Sequence, residues 1–322
     1  MMKDTMTLQE MKTYKGRDEI PADFDEFWNS LLLETSVLDY ELTEKDFGLK
    51  SVDCYELKVT SPKGSTIYSK CLFPKGVTSC PVVFYFHGYQ GKSPDWTEGL
   101  KYTAEGMGAV FMDVPGQAGQ SRDMGDYSGI TVKGQVIRGM LDGPKELFFV
   151  DVYRSIVKLI DIVADFEWVD EQQLYSYGAS QGGALALIAS ALSPKITKTA
   201  SIYPFLSDFN RILELGLTTE PYDEFFRYFK YSDPFHDTEK AVLGTLAYMD
   251  VKNFAHRITC PVLFITGLED DICPPSTQFA IYNRLTTEKS HYILPDYGHD
   301  AMHVKVNDLV YDFLTGSCVL TC

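Results

Sequence analysis

The sequence contains no Cys-x-x-Cys pair, and its seven cysteines (Cys54, Cys71, Cys80, Cys260, Cys273, Cys318 and Cys322) are odd in number. A disulfide framework or a structural zinc site is therefore not expected, and a reducing cytoplasm is the simpler compartment. No run of 18 apolar residues occurs, which argues against a membrane-spanning helix, and Met1-Met2-Lys3-Asp4-Thr5-Met6 lacks the apolar core of a secretion signal. Positive charge is scarce: 29 Lys and Arg against 45 Asp and Glu leave a net charge of −16. Binding to a nucleic-acid backbone needs a basic surface, so that class of partner is excluded. A neutral or cationic small substrate fits better. No internal repeat, low-complexity tract or linker interrupts the 322 residues, and a single domain over 1–322 is expected. Aromatic residues, by contrast, are plentiful, with twenty Tyr and twenty Phe. Sugar-binding clefts use such rings, and so do cores and interfaces.

Pro21 is placed to open a helix in which Phe24, Phe27, Trp28, Leu31 and Leu32 recur at helical spacing and form one apolar face. Residues 1–46 read as a helical extension. Residues 47–76 hold two strand patterns, 51–60 and 65–73, joined at Ser61-Pro62-Lys63-Gly64 as an antiparallel hairpin. From Pro81 the pattern changes. Val82–Phe86 is apolar on both faces, as in parallel strands covered by helices. Similar strands follow at Ala109–Asp113, Leu174–Tyr177, Thr199–Tyr203, Val262–Thr266 and His291–Leu294, alternating with helix patterns near 95–106, 146–166, 183–192, 276–285 and 301–314. The expected class is α/β: a doubly wound, mostly parallel sheet with the antiparallel hairpin at one edge. Two segments break the rhythm, a long Gly-rich connection over 114–145 and an aromatic helical excursion over 205–257.

One stretch organises the rest. Gln173–Tyr177 reads as a buried strand, Ala184–Ala191 as a helix, and between them Gly178-Ala179-Ser180-Gln181-Gly182 forms G-x-S-x-G. This is the pattern of a nucleophile elbow, in which a tight strand-to-helix turn presents the serine and the helix N-terminus faces the charge that develops in acyl transfer. In that arrangement the acid and then the histidine follow the serine along the chain, each after a strand. Of the histidines beyond Ser180, His299 stands directly after His291–Leu294, where a general base belongs; His291 lies within the strand and His303 falls a turn too late. The preceding strand leads into Gly267-Leu268-Glu269-Asp270-Asp271, whose three carboxylates spacing alone does not separate. The oxyanion hole is expected from the Gln181 N–H together with Tyr89 N–H, in the loop His87-Gly88-Tyr89. His87 reads as a buried, hydrogen-bonded loop residue.

The span from about residue 18 to 315 resembles the acetyl xylan esterase/cephalosporin C deacetylase family, carbohydrate esterase family seven. The resemblance is carried by Phe24-Asp25-Glu26-Phe27-Trp28, His87-Gly88-Tyr89, Gly178-Ala179-Ser180-Gln181-Gly182-Gly183, Pro204-Phe205-Leu206, Gly267-Leu268-Glu269-Asp270-Asp271-Ile272-Cys273-Pro274-Pro275-Ser276-Thr277 and Gly298-His299. It implies an α/β-hydrolase fold and an esterase acting on small acetylated substrates through Ser180, His299 and Asp270, with no metal or organic cofactor. It further implies that Asp270 is the acid, that Tyr89, Pro204 and Ile272 line a small acyl pocket, and that the chain assembles as a ring-shaped homohexamer. Two positions depart from the family. Pro115-Gly116-Gln117 stands where the family carries Arg-Gly-Gln, removing a guanidinium and its hydrogen bonds, and His299-Asp300 replaces His-Glu.

Competing readings have residues of their own. His299-Asp300-Ala301-Met302-His303 resembles a zinc-binding H-E-x-x-H, but its Asp is one methylene short as general base and a third ligand is not evident. A peptidase, thioesterase or longer-chain esterase would share the elbow, and a non-catalytic binding protein would share the fold.

Overall fold

The computed structural model describes residues 4–34, 39–127, 135–218, 220–300 and 304–316. Among them a nine-stranded sheet runs in the order β1-β2-β3-β5-β4-β6-β7-β8-β9. The strands are β1 (Tyr40–Glu44), β2 (Val52–Thr60), β3 (Thr66–Pro74), β4 (Cys80–Phe86), β5 (Gly108–Met112), β6 (Val169–Ala179), β7 (Ile196–Ile202), β8 (Val262–Gly267) and β9 (Lys289–Leu294). The first three pair antiparallel, β3 joins β5 antiparallel, and the pairs from β5 across to β9 are parallel. This is the expected mixed, doubly wound sheet with its hairpin at one edge.

One strand was not legible in the pattern. Residues 1–46, read as a helical extension, also contain β1, which pairs with β2 from Tyr40↔Val59 to Glu44↔Tyr55. Its sequence, Tyr-Glu-Leu-Thr-Glu, is almost wholly exposed, and its alternation rests on Tyr40 and Leu42 alone. Charge on such an edge strand blocks further pairing, and it also hides the strand from a hydrophobicity reading.

The helices are α1 (Leu8–Met11), α2 (Phe24–Leu33), α3 (Leu100–Thr103), α4 (Phe148–Ala164), α5 (Gln181–Leu192), α6 (Phe209–Leu215), α7 (Asp223–Tyr231), α8 (Glu239–Leu246), α9 (Pro275–Tyr282) and α10 (Val306–Thr315). Residues 301–303, where the helix pattern near 301–314 begins, lie outside the described residues. On α2 the predicted face is real: Phe24, Trp28 and Leu31 are buried. Trp28 donates its indole N–H to the Tyr248 carbonyl at 3.0 Å and packs on Phe254, with ring centroids 5.1 Å apart. The N-terminal segment is thus fastened to the excursion. Helix α5 is buried along its whole length, lying in the same core as α4 and the sheet, which is why its sequence is apolar all round instead of amphipathic. The opposite face of the sheet is covered by α3 and α10, with Tyr102, Val306, Val310 and Leu314 buried against Val83, Phe111 and Leu263.

Parallel strands leave their C-terminal ends along one rim, and the loops there build the site. The excursion, α6 to α8 followed by a 3-10 segment Val251–Arg257, leaves that rim after β7.

Candidate active site

Ser180 sits between β6 and α5 with φ 58° and ψ −122°, a backbone conformation disfavoured for any residue with a Cβ. The surroundings enforce it. Ser180 donates its N–H to the Ile202 carbonyl at 2.9 Å, and its own carbonyl accepts from Phe205 N–H at 3.1 Å and Ala184 N–H at 3.0 Å. The glycines on either side are required by space. A Cβ on Gly182 would come within 1.9 Å of the Phe86 carbonyl oxygen, and one on Gly178 within 2.4 Å of the Gly182 carbonyl carbon. The elbow therefore rests directly on the end of β4, and its serine side chain is held out from the turn.

The structure brings His299 to Asp270, the carboxylate that the family resemblance implied. His299 Nδ1 lies 2.9 Å from Asp270 Oδ2 and 3.2 Å from Oδ1. Of the three candidate carboxylates, Asp270 alone is buried; Glu269 is exposed and Asp271 half-buried. Asp270 Oδ1 also accepts N–H bonds from Ile272 (3.0 Å) and Cys273 (2.8 Å), while Oδ2 accepts from the Gln278 amide at 3.2 Å. A carboxylate with so many donors is fixed in position. Because the imidazole nitrogen facing it carries the hydrogen, Nε2 is left as the basic atom. The His299 ring is backed by the ring of Tyr203, with centroids 4.6 Å apart.

Cys273 was not singled out by the sequence reading. Its thiol is fully buried; burial first, then the Asp270 charge, push it well above the ordinary range, opposed by a side-chain hydrogen bond with Ser180. Donor atoms of Asp270, Cys273 and His299 lie within 4.8 Å of one another. The hydrogen bond to Cys273 ties the Ser180 side chain to this cluster. A metal there would have to displace the N–H groups that already fill Asp270 and deprotonate the thiol, so hydrogen bonding accounts for this cluster better than coordination does. The alternative pair His299 and His303 has its second member outside the described residues.

Tyr89 and Gln181, the expected oxyanion donors, have supports of a different kind. Among the described residues neither Tyr89 N–H nor Gln181 N–H donates to a protein acceptor, as follows for Gln181 from its place at the start of α5. Behind them lies a chain of side chains that the sequence did not reveal. Gln181 Oε1 accepts from the Gln117 amide at 2.7 Å, Gln117 Nε2 donates to Gln135 Oε1 at 2.9 Å, and Gln135 Nε2 donates to the Pro115 carbonyl at 3.0 Å. The Tyr89 hydroxyl accepts from Gln135 N–H at 2.7 Å, and its ring packs 5.5 Å from that of Phe205. The long connection thus braces both donors. Pro204 is buried and Ile272 half-buried beside Asp270.

His87 has the structural place expected of it. Its Nδ1 hydrogen goes to the Gly88 carbonyl at 2.8 Å and its Nε2 accepts the Val114 N–H at 2.9 Å, tying the loop after β4 to the loop after β5. Burial lowers its pKa and keeps it neutral. His291 is half-buried on β9 against the rings of Phe264, Phe279 and Tyr282, and burial followed by the Lys289 charge lowers its pKa to about 4.

The sequence profile of the acetyl xylan esterase (AXE1) family matches residues 1–317. The chain belongs to that family, and with it to the carboxylic ester hydrolases of the α/β-hydrolase fold. It is similar to acetyl xylan esterase 1 from Thermoanaerobacterium sp. JW/SL YS485, with 40% identity and a TM-score of 0.93 over 97% of this chain and 98% of that one. A second solved structure, the acetyl xylan esterase from Paenibacillus sp. R4, is 32% identical with a TM-score of 0.90, covering 98% of this chain and 100% of its own. Acetyl esterase Axe7A of Xylanibacter ruminicola is 31% identical over 284 residues, 85% of this chain. The chain spans 62% of the length of that relative.

Proposed function

We propose that this esterase removes acetyl groups from small acetylated substrates, xylo-oligosaccharides and cephalosporin C among them, by a Ser180–His299–Asp270 acyl-enzyme mechanism. The observation that carries the reading is the buried Asp270 holding His299 Nδ1 at 2.9 Å next to a serine on a strained elbow. Neutral His299 takes the Ser180 proton at Nε2 as Oγ attacks the acetyl carbonyl. The resulting oxyanion is received by Tyr89 N–H and Gln181 N–H, groups that need no rearrangement to meet it. Collapse breaks the ester bond, and the alcohol leaves with the proton returned by His299. Water then repeats the sequence on the acetyl-serine, releasing acetate and restoring the hydroxyl. Asp270 orients the imidazole and stabilises its charged form, and no step calls for a metal or organic cofactor.

Acetyl specificity follows if Tyr89, Pro204 and Ile272 close the space beyond the carbonyl carbon. Five described cysteines, Cys54, Cys71, Cys80, Cys260 and Cys273, are free and buried, which supports a reducing, cytoplasmic setting. Among the described residues no helix is long and apolar enough to cross a membrane. Assembly as a homohexamer is part of the same proposal, supported by family membership. In such a ring, soluble oligosaccharides would reach the sites and polymeric xylan would not.

Two measurements test this reading. A fluorophosphonate should label Ser180 in stoichiometric amount, and acetate release should be compared across acetylated xylo-oligosaccharides, acetylated xylan and cephalosporin C. Acetate release by an enzyme with Ser180 fully blocked would refute the mechanism. Equal rates on polymer and short oligomers would refute the size limit.

A further inference from the structure

The oxyanion side of the site ends on a carboxylate that the reaction just described does not use. Glu224 lies in the first turn of α7, in the excursion, and is buried at 2% exposure. Its Oε1 accepts the Val136 N–H in a short hydrogen bond and the Ile137 N–H at 3.4 Å. The preceding peptide, Gln135, gives its N–H to the Tyr89 hydroxyl at 2.7 Å and its side chain to the Gln117–Gln181 chain. One buried oxygen therefore holds the segment from which both oxyanion donors are braced.

We propose that Glu224 is a positioning residue for the oxyanion hole: by anchoring residues 135–137 it fixes Tyr89 and Gln181, and so couples the helical excursion to the transition state. The inference rests on the mechanism proposed above and adds a residue to it. A carboxylate buried for stability alone would be a poor choice, because burying a charge costs more than its hydrogen bonds return unless the charge is needed. Its electrostatic setting is mixed. Burial raises its pKa to about 7; the Val136 and Ile137 N–H groups and Arg138 oppose that rise, and Asp223 adds to it. Tyr89 and, beyond it, Glu220 complete the titratable groups on that side. Arg138 is itself engaged, 2.5 Å from Asp123 and stacked over the Tyr127 ring. The ionised carboxylate accepts two N–H bonds more strongly than the neutral acid, so the brace weakens as the pH falls through neutrality.

The test is a kinetic cycle with the full-length protein, using Ser180→Ala as the reference for the underlying mechanism. Glu224→Gln keeps the shape and removes the charge; kcat is expected to fall by about tenfold with KM changed less than threefold, as for a displaced oxyanion donor. The ratio of the unmodified rate to that of Glu224→Gln should rise as the pH rises through about 7, a readout in which the general base common to both enzymes cancels and which loss of stability would not give. Tyr89→Phe deletes the hydroxyl that receives Gln135 N–H while keeping the backbone donor, and provides a second route if Glu224→Gln folds poorly. Its loss should not add to that of Glu224→Gln in the double variant, because both act through residues 135–137. A folded Glu224→Gln enzyme within twofold of the unmodified rate from pH 5.5 to 9, or losses that simply multiply in the double variant, would overturn the proposal. If Ser180→Ala kept its activity, the mechanism beneath it would fall instead; an inactive Ser180→Ala beside a normal Glu224→Gln would sink this inference alone.

Discussion

The two sides of Ser180 are built on different principles. On the acid side, Asp270 is held by N–H groups two and three residues ahead of it and by Gln278 eight residues on. The oxyanion side hangs on bonds between distant segments: Gln135 to Tyr89 across 46 residues, Gln117 to Gln181 across 64, Val136 to Glu224 across 88. A locally closed loop keeps its geometry whatever its neighbours do. A side assembled from three remote pieces has the geometry of the whole fold written into it, and it is the side where a change elsewhere in the molecule reaches the chemistry.

The most severe way to break the comparison is at the acid. Ser180→Ala should reduce kcat by roughly 10⁴–10⁶, and Asp270→Asn by about 10⁴, while Glu269→Gln and Asp271→Asn stay close to the unmodified rate. Steady-state deacetylation kinetics would show the acid side to be misread if either neighbouring carboxylate mattered as much as Asp270.

The acid side does have one distant strut. Asp4, nearly buried, accepts the N–H of Ser276 at 2.8 Å at the start of α9 and pairs with buried Arg211 at 2.9 Å. Arg211 keeps its pairing with Glu214 at 2.8 Å, so Asp4→Ala removes only the bonds that Asp4 itself makes and should cost roughly 1–3 kcal/mol of stability. Because Asp270 is held by its own loop, kcat should change by less than about twofold. Urea denaturation and kinetics on the same preparation check both. A tenfold loss of kcat with stability intact would mean that the acid side also depends on remote support.

Glu224 offers the converse. Its folded pKa, about 7, stands above the 4.5 of an unperturbed glutamate. A raised value means that the folded chain holds the proton more tightly than the unfolded one. The associated stability is complete below pH 4.5 and disappears as the pH rises through 7, by up to roughly 3 kcal/mol. Glu224→Gln should flatten that slope, so that denaturation at pH 5 and pH 8 separates the two proteins at the higher pH alone. A parallel pH dependence in both would show that Glu224 is not the group responsible. Stability and function pull in opposite directions here, whereas at Asp4 only stability is at stake.

The smallest expected effect concerns the proposed acyl pocket, which would draw on both sides through Tyr89, Pro204 and Ile272. Overpacking a tight site costs about 1–3 kcal/mol, so acetate esters should exceed butyrate esters by roughly 5–150-fold in kcat/KM. Equal rates on acetyl and octanoyl esters would mean that the pocket is open.

What the sequence determined by itself was everything whose physical cause is local. The elbow is legible because its glycines, apolar strand and helix are adjacent, and a Cβ at Gly178 or Gly182 would strike backbone. The position of His299 follows from a strand immediately before it, and the sheet from the change between two-fold and helical spacing. Spacing did not choose among Glu269, Asp270 and Asp271, since three consecutive carboxylates look alike until burial and the Ile272 and Cys273 N–H groups distinguish one. Strand β1 escaped because a short, exposed edge with only Tyr40 and Leu42 in alternation carries too little hydrophobic pattern. The glutamine chain, Cys273 beside Ser180, Asp4 on α9 and Glu224 beneath the long connection were decided by tertiary structure alone. Each is an ordinary polar residue in an unremarkable stretch, and its meaning comes from a partner brought near only when β5, β7 and β8 have taken their places in one sheet.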